Sequence, residues 1–214
     1  MTAPVWPTVM VTGHRPQHLP AADHDWIREQ LDRIAVKLRD KHGTTTGITG
    51  MALGADMWWA DSLYRAEVPY AAHIPFPQQP DPWPDPEAVA EWHRLRALAA
   101  DEHVYGNLDG LTGDTRKRRA VQLLHERNGG MLAASNAAVA VWLRGKRSGG
   151  THSALLKAHQ RGMPVVLVDV RSRFVTVPSP RRLDQLLHPD RPATLPLPTQ
   201  GEGATTPGAS LSGE

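Results

Sequence analysis

Residues 45–61 of this 214-residue chain have the pattern of a strand that ends in a glycine turn and continues directly as a helix. Residues 45–49 are β-prone, Gly50 and Gly54 permit a tight backbone, and an amphipathic helix pattern follows. In such a unit, main-chain N–H groups of the turn face outward at the positive end of the helix dipole. An anion, most often a phosphate, finds hydrogen-bond donors and a favourable dipole there.

Two further segments have the same character, with hydroxyl or basic residues beside their glycines. Residues 11–16 contain Gly13, His14 and Arg15, and residues 147–152 contain two adjacent glycines. None of the three turns matches the dinucleotide fingerprint or the GxxxxGK[ST] phosphate loop. A single turn of this kind could simply close a loop in any α/β domain. Three of them after three predicted strands favour one phosphate-rich ligand at one edge of a sheet.

Apolar strand patterns alternate with amphipathic helix patterns along the chain. The clearest buried strands are residues 137–143 and 165–170, and residues 22–41 have apolar side chains on one helical face. Continuous apolar strands between helices are typical of a parallel sheet that is covered on both sides. The sequence therefore predicts the α/β class, with a Rossmann-like parallel sheet and helices on both faces in a single domain.

Composition sets the domain limits and the expected compartment. We assign residues 5–173 to the domain, 174–189 to a C-terminal extension and 190–214, which are poor in large apolar residues, to a disordered tail. The chain has no apolar run near the ~20 residues of a membrane span and no signal-peptide pattern. It also has no cysteine, which fits a reducing compartment. We expect a cytoplasmic protein with no membrane partner.

Metal and nucleic-acid sites receive little support from composition. The histidines near the start, His14, His18 and His24, follow no standard zinc spacing, and thiolate ligands are absent. We expect no metal and no cofactor beyond a nucleotide-type ligand. The formal net charge of +2 is weak evidence for nucleic acid. The basic run at residues 115–119 is more typical of a solvated helix start than of a phosphate-backbone contact.

Five short segments follow one another in an order and at spacings that are typical of a known family. They are residues 12–16 (TGHRP), 50–58 (GMALGADMW), 127–128 (RN), 134–137 (ASNA) and 149–151 (GGT). Together they resemble the YpsA-like branch of the SLOG superfamily, which also contains DprA (Smf) and the LOG phosphoribohydrolases. The resemblance covers residues 9–170. It implies a Rossmann-like fold that binds nucleotides or nucleotide-derived ligands.

The resemblance also implies which residues bind the ligand. They are Gly13, His14 and Arg15 in the first loop, Gly50, Gly54, Ala55 and Asp56 in the second, Asn128 before the last core strands, and Gly149, Gly150 and Thr151 in the last turn. In this scheme basic side chains of the first loop pair with phosphate, and Asn128 contacts a ribose or a base edge. Asp56 has two alternative interpretations, as a charge that complements a helix N-terminus and, with Asp61, as a catalytic pair.

One departure from the LOG pattern bears on catalysis. LOG enzymes carry Gly-Gly-x-Gly-Thr-x-x-Glu, whereas residues 148–155 read SGGTHSAL and lack the glutamate. We therefore expect no LOG-type reaction, assign no catalytic residue and leave enzymatic activity open. The leading hypothesis is a binder of a nucleotide or nucleotide-derived small molecule, as a sensor or an enzyme. The alternative is a DprA-like single-stranded DNA-binding protein, and homo-oligomer formation stays open.

Overall fold

The computed structural model describes residues 3–190, in which seven strands and six α-helices form one α/β domain. The strands are β1 (Thr8–Gly13), β2 (Thr46–Thr49), β3 (Tyr70–Ile74), β4 (Asp101–Val104), β5 (Ala137–Trp142), β6 (Val165–Asp169) and β7 (Phe174–Thr176). The helices are α1 (His24–His42), α2 (Ala55–Arg65), α3 (Pro86–Leu98), α4 (Gly113–Ala133), α5 (Gly150–Gln160) and α6 (Pro180–Leu187). Short 3-10 turns at Pro16–His18 and Ala21–Asp23 connect β1 to α1.

The strand order of the sheet creates a crevice beside β1. The order is β4-β3-β2-β1-β5-β6-β7, and every neighbouring pair is parallel except β6 and β7. The chain builds outward from β1 to β4 and then returns to place β5 on the other side of β1. At such a reversal, the loops that follow the two central strands separate, and open α/β sheets bind ligands there. The predicted Rossmann-like α/β fold is confirmed.

Helices cover both faces of the sheet, which explains why the central strands are apolar throughout. All six residues of β5 are buried. Helices α1, α2 and α3 pack on one face, where Trp59 and Trp92 are fully buried, and α4, α5 and α6 pack on the other, around Leu155 and Leu183. Burial of one large apolar side chain stabilises a fold by about 1.5–3 kcal/mol. The two cores therefore hold the carboxyl ends of β1 and β5 in a fixed position.

The two edges of the sheet differ from the sequence expectation. The sequence does not predict β4, whose four residues are all exposed, or the short β7, which pairs antiparallel with β6. Residues 174–189, assigned to an extension, form β7 and α6, and α6 buries Leu183 and Leu187 in the second core. Of the predicted tail, residues 190–214, only Asp190 lies among the described residues.

No helix between residues 3 and 190 has both the length and the apolarity that a membrane span requires. The longest, α4, has 21 residues but is mostly polar on its outer face, with several arginine and lysine residues in its first two turns.

Candidate functional site

A cavity of about 560 Å³ lies where β1 and β5 end, at the crevice described above. The loop after β1, the turn before α2, one face of α4 and the loop between β5 and α5 form its walls. Eight of the eleven predicted site residues line it: Gly13, His14, Arg15, Asp56, Asn128, Gly149, Gly150 and Thr151. The other three, Gly50, Gly54 and Ala55, lie behind its wall.

Gly50 lies against a buried ion pair that forms part of the cavity wall. Arg127 Nη1 donates to Asp56 Oδ2 at 3.1 Å, and the two side chains are only 6% and 9% exposed. A Cβ on Gly50 would lie 1.2 Å from Arg127 Nη1 and 2.7 Å from Asp56 Oδ2. A glycine is therefore required at position 50 because Arg127 approaches its backbone closely, and not because the residue faces the cavity.

The carboxylate of Asp56 faces the backbone of its own turn as well as Arg127. The main-chain N–H of Ala52 donates to Asp56 Oδ2 at 3.4 Å, and Asp56 lies in the first turn of α2. Burial raises the pKa of the Asp56 carboxyl, and the positive charge of Arg127 opposes that rise. A buried carboxylate with one close cation occupies the positive end of α2. This end of the helix is thus satisfied by the protein itself.

Gly54 and Ala55 hold the β1 loop against α2. Gly54 has a φ of 97°, and a Cβ there would lie 2.7 Å from Pro16 Cδ and 3.1 Å from the carbonyl oxygen of His14. A Cβ on Gly13 would lie 2.2 Å from Cβ of Ala55, so α2 packs directly on the end of β1. These residues position the loop that carries His14 without lining the cavity themselves.

The turn between β5 and α5 opens directly into the cavity. Gly149 has a φ of 91° and is exposed, and no atom lies within 4 Å of a Cβ placed on it. Helix α5 begins at Gly150 and has no acidic residue in its first turn. A Cβ on Gly150 would lie 3.8 Å from Asn128 Nδ2, so the amide of Asn128 adjoins the helix start. The positive end of α5 therefore faces the cavity without a carboxylate of its own.

The loops after β1 and β5 bring four basic side chains to the cavity lining: Arg15, His18, Lys146 and His14. His14 is only 5% exposed, and its Nε2 has no hydrogen-bond partner within the described part of the chain. Burial, followed by the charges of Lys146 and His18, lowers the pKa of His14 to about 4. The imidazole is therefore neutral at neutral pH.

The donors of the cavity wall suit an anion better than a metal ion. Asp56 is the one carboxylate in the lining, and Arg127 already pairs with it. Across residues 3–190, no group of three or more histidine, cysteine, aspartate or glutamate side chains could hold a metal ion. Magnesium requires carboxylate or phosphate oxygens, whereas phosphate is bound by N–H groups and cations. The N–H groups and cations of the cavity wall can therefore bind an anion directly.

Several residues of the wall are absent from the sequence-based set of site residues. Arg127 belongs to the Arg-Asn segment of the resemblance, but its partner Asp56 is 71 positions away and no spacing rule connects them. Lys146 precedes the glycine turn by three residues, and a basic residue so close to such a turn was an available signal. Val121 and His125 line the cavity from one face of α4. Predicting them would have required the orientation of this helix relative to the sheet.

Comparison with solved structures supports the fold. DNA processing protein A (DprA) from Streptococcus pneumoniae superposes with a TM-score of 0.53 at 16% identity, over 76% of this chain and 50% of that protein. DprA from Helicobacter pylori, described for its single-stranded DNA binding mode, gives 0.52 at 15% identity, over 77% and 65%. The chain thus spans about half of the first protein and 65% of the second.

At these identities the likeness concerns the fold. The chain has the Rossmann-like fold that its resemblance to the SLOG superfamily implies, while membership of the YpsA-like branch stays a prediction. No protein-family model and no curated protein sequence matches the chain.

Proposed function

We propose that this chain binds a nucleotide or nucleotide-derived small molecule, with its phosphate at the start of α5. One observation supports the proposal: the N-terminus of α5, free of acidic residues, opens into the same cavity that Arg15, Lys146 and His14 line. Helix N-termini bind phosphate through main-chain N–H groups and the helix dipole. Neighbouring cations strengthen such contacts through charge-assisted hydrogen bonds.

The remaining residues have matching roles in this proposal. The planar guanidinium of Arg15 offers paired donors to phosphate, and the amide of Asn128, next to Gly150, offers a donor and an acceptor to a ribose or a base edge. The main chain of Gly149 and Thr151 completes the phosphate end. The proposal covers binding, and it assigns no catalytic residue.

Single-stranded DNA is the second candidate ligand. Its support is the DprA-type fold, since the Helicobacter pylori protein binds single-stranded DNA, together with the basic run at residues 115–119. At the start of α4, however, Lys117 lies 3.7 Å from Asp114, and Arg119 lies 3.8 Å from Glu126. These carboxylates offset part of the positive charge that a DNA backbone would need. The small-molecule proposal is therefore the stronger one.

Calorimetry on the wild type and on Arg15→Ala tests the proposal. The titrants are AMP, ADP-ribose, NAD, cyclic AMP and a single-stranded oligonucleotide, each at low and high salt. We expect saturable binding of at least one nucleotide, with mild salt dependence. Arg15→Ala should weaken it about tenfold or more, because a hydrogen bond to a charged group contributes about 1.5–3 kcal/mol.

Arg33→Ala is the matched control, because Arg33 is an exposed arginine of α1 whose partner is Glu29, outside the cavity. It should leave affinity unchanged. Equal affinities for wild type and Arg15→Ala would remove Arg15 from the site. If no nucleotide bound the wild type, the proposal would be wrong. Tight oligonucleotide binding that falls steeply with salt would favour the DNA alternative, because counterion release dominates such affinity.

A further inference from the structure

One face of α4 forms part of the cavity wall. Val121, Leu124, His125 and Asn128 line the cavity at separations of three or four residues, which places them on the same side of the helix. Val121 is 53% exposed, and His125 is also exposed, so neither is needed to fill the core. A valine that lines a cavity and keeps half its surface accessible is available to contact a ligand.

The loops after β1 and β5 supply cations to the cavity, and α4 supplies apolar side chains. Arg15, His18 and Lys146 come from the loops, and the one lining arginine of α4, Arg127, already pairs with Asp56. Asn128 adjoins Gly150. Along α4 from Asn128, Leu124 lies one turn away and Val121 two turns away, about 6 Å and about 10 Å along the helix axis. The amide of Asn128 therefore adjoins the start of α5, and Leu124 and Val121 lie progressively farther from it along α4.

We propose that this wall of α4, formed by Val121, Leu124 and His125, receives the base of the bound nucleotide. The inference rests on the proposed function, which places the phosphate at the start of α5. It narrows the ligand class to a molecule that carries a flat heterocycle as well as a phosphate, and it excludes a sugar phosphate as the preferred ligand. Asn128 then lies beside the ribose.

The chemistry of the wall suits a base. Ligand sites are mostly apolar surfaces with a few polar groups that fix orientation, and Val121 and Leu124 provide the apolar surface here. Histidine rings stack on bases, and the imidazole of His125 offers such a plane. Single exposed apolar residues are normal on protein surfaces, so exposure alone would mean little. Val121 differs from such residues because it lines the same cavity as Arg15, His18 and Lys146.

Affinities for matched ligands test the assignment. The probes are the four common nucleoside 5′-monophosphates and ribose 5-phosphate, titrated into the full chain. We expect at least one nucleotide to bind about tenfold or more tightly than ribose 5-phosphate, which is the range of one stacked base. In the double variant Val121→Asn/His125→Ala this preference should fall to about threefold or less, with ribose 5-phosphate affinity unchanged.

Val36→Asn is the matched control, since Val36 is 41% exposed on α1 and does not line the cavity. It should preserve the preference. Both altered positions in the double variant are exposed, so thermal unfolding should be close to wild type. Nuclear magnetic resonance gives a second readout: the His125 ring signals should shift with the preferred nucleotide and not with ribose 5-phosphate.

The outcomes separate this inference from the proposed function. If ribose 5-phosphate bound as tightly as every nucleotide, or if the double variant kept the full preference, the base assignment would be wrong while phosphate binding stood. An equal loss of affinity for nucleotides and for ribose 5-phosphate would also overturn it, because the substitutions would then disturb the whole site and not the contact with the base. Absence of binding by all five probes would overturn this inference, while the proposed function would be decided by ADP-ribose, NAD and cyclic AMP.

Discussion

The turns that precede α2 and α5 have a similar backbone, but a carboxylate of the protein occupies the positive end of α2 and none occupies that of α5. Each helix follows a glycine with a positive φ, 97° at Gly54 and 91° at Gly149, at the carboxyl edge of the sheet. At α2 the positive end is occupied by the buried carboxylate of Asp56, which Arg127 holds at 3.1 Å. At α5 the first turn has no acidic residue, and the glycine before it is exposed.

The difference shows that a glycine turn before a helix does not by itself define an anion site. The second residue of the helix decides whether its N-terminus can bind an external anion. This residue is Asp56 in α2 and Thr151 in α5. An aspartate there compensates the helix dipole with a charge of the protein itself. In α2 this aspartate also pairs with Arg127, so the turn connects α2 to α4. A threonine leaves the main-chain N–H groups free for an external anion. We therefore expect substitutions in the turn before α2 to affect stability and substitutions in the turn before α5 to affect ligand binding.

The largest expected effect is that of Gly50→Ala on stability. The new methyl group would displace the Arg127 side chain and separate a buried ion pair, which costs on the order of 5 kcal/mol. Urea denaturation would measure the free energy of unfolding. Gly150→Ala is the control, since its Cβ meets only the end of the Asn128 side chain at 3.8 Å, and we expect a change below about 1 kcal/mol. Similar losses in both variants would contradict the contrast between the turns.

Arg127→Met should have the next largest effect, and the effect should depend on pH. Without its partner, Asp56 is a lone buried carboxylate, and we expect a loss of about 3–4 kcal/mol at pH 7. The pKa of Asp56 is already raised by burial, so the folded state binds a proton at higher pH than the unfolded state does. Protonation removes the buried charge, so the loss should shrink as pH falls through the raised pKa.

Unfolding of this variant and of the wild type between pH 4 and pH 7 measures the trend. Arg33→Met, which alters an exposed pair with Glu29, should change stability by less than about 1 kcal/mol throughout. A penalty for Arg127→Met that stayed constant with pH would show that Asp56 remains solvated, and the α2 turn would then not be satisfied as described.

His14 lies beside the turn that precedes α2, lines the cavity and should make the protein sensitive to acid. Its pKa in the folded state is about 4, below the usual 6.5, so the unfolded state binds more protons between these values. Stability should therefore fall as pH decreases from 6.5 towards 4, by about 1 kcal/mol per pH unit at most. His14→Gln should flatten this part of the profile.

His73 provides an internal control for this experiment, because burial first and then His103 and Arg127 lower its pKa to about 4 as well. Its contribution should persist in His14→Gln, leaving a partial slope. An unchanged slope would show that His14 does not become neutral on folding. Phosphate added to the wild type should also reduce the slope, because a nearby anion raises the pKa of a histidine.

The smallest effect in free energy is expected for Gly150→Pro, which tests the open turn alone. Proline is accepted at the first position of a helix, so stability should change little, but one main-chain donor is lost. AMP affinity should fall about tenfold, or about 1.4 kcal/mol. Gly150→Ala keeps the donor and should bind AMP like the wild type. Equal binding by both variants would place the phosphate elsewhere in the cavity.

The sequence predicts the central part of the fold well because its signals are local. The apolar run of β5 and the glycine that begins α5 are each read within a few residues, and the structure places both as expected. Strand β4 lacks such a signal: it begins with Asp101 and Glu102, and all four of its residues are exposed. Backbone pairing at an exposed edge leaves no hydrophobic pattern to detect.

The candidate site is predicted less completely for a similar reason. Glycines at strand ends indicate where a cavity opens, and Gly13 and Gly150 do line it. The part played by Gly50 depends on Arg127, which comes from a helix far along the chain. A contact between residues so distant in sequence follows from the packing of α4 on the sheet. The ligand-binding roles of all eleven residues stay predictions until binding is measured.

The two sheet edges have a consequence for behaviour in concentrated solution. An exposed edge strand can pair with the same strand of another molecule and start aggregation, and short or charged edge strands oppose this. Here β4 has four residues with two carboxylates, and β7 has three residues. Neither edge offers a long, flat template for a second sheet. Pairing between sheet edges of two molecules is therefore disfavoured for the part of the chain that the structure describes.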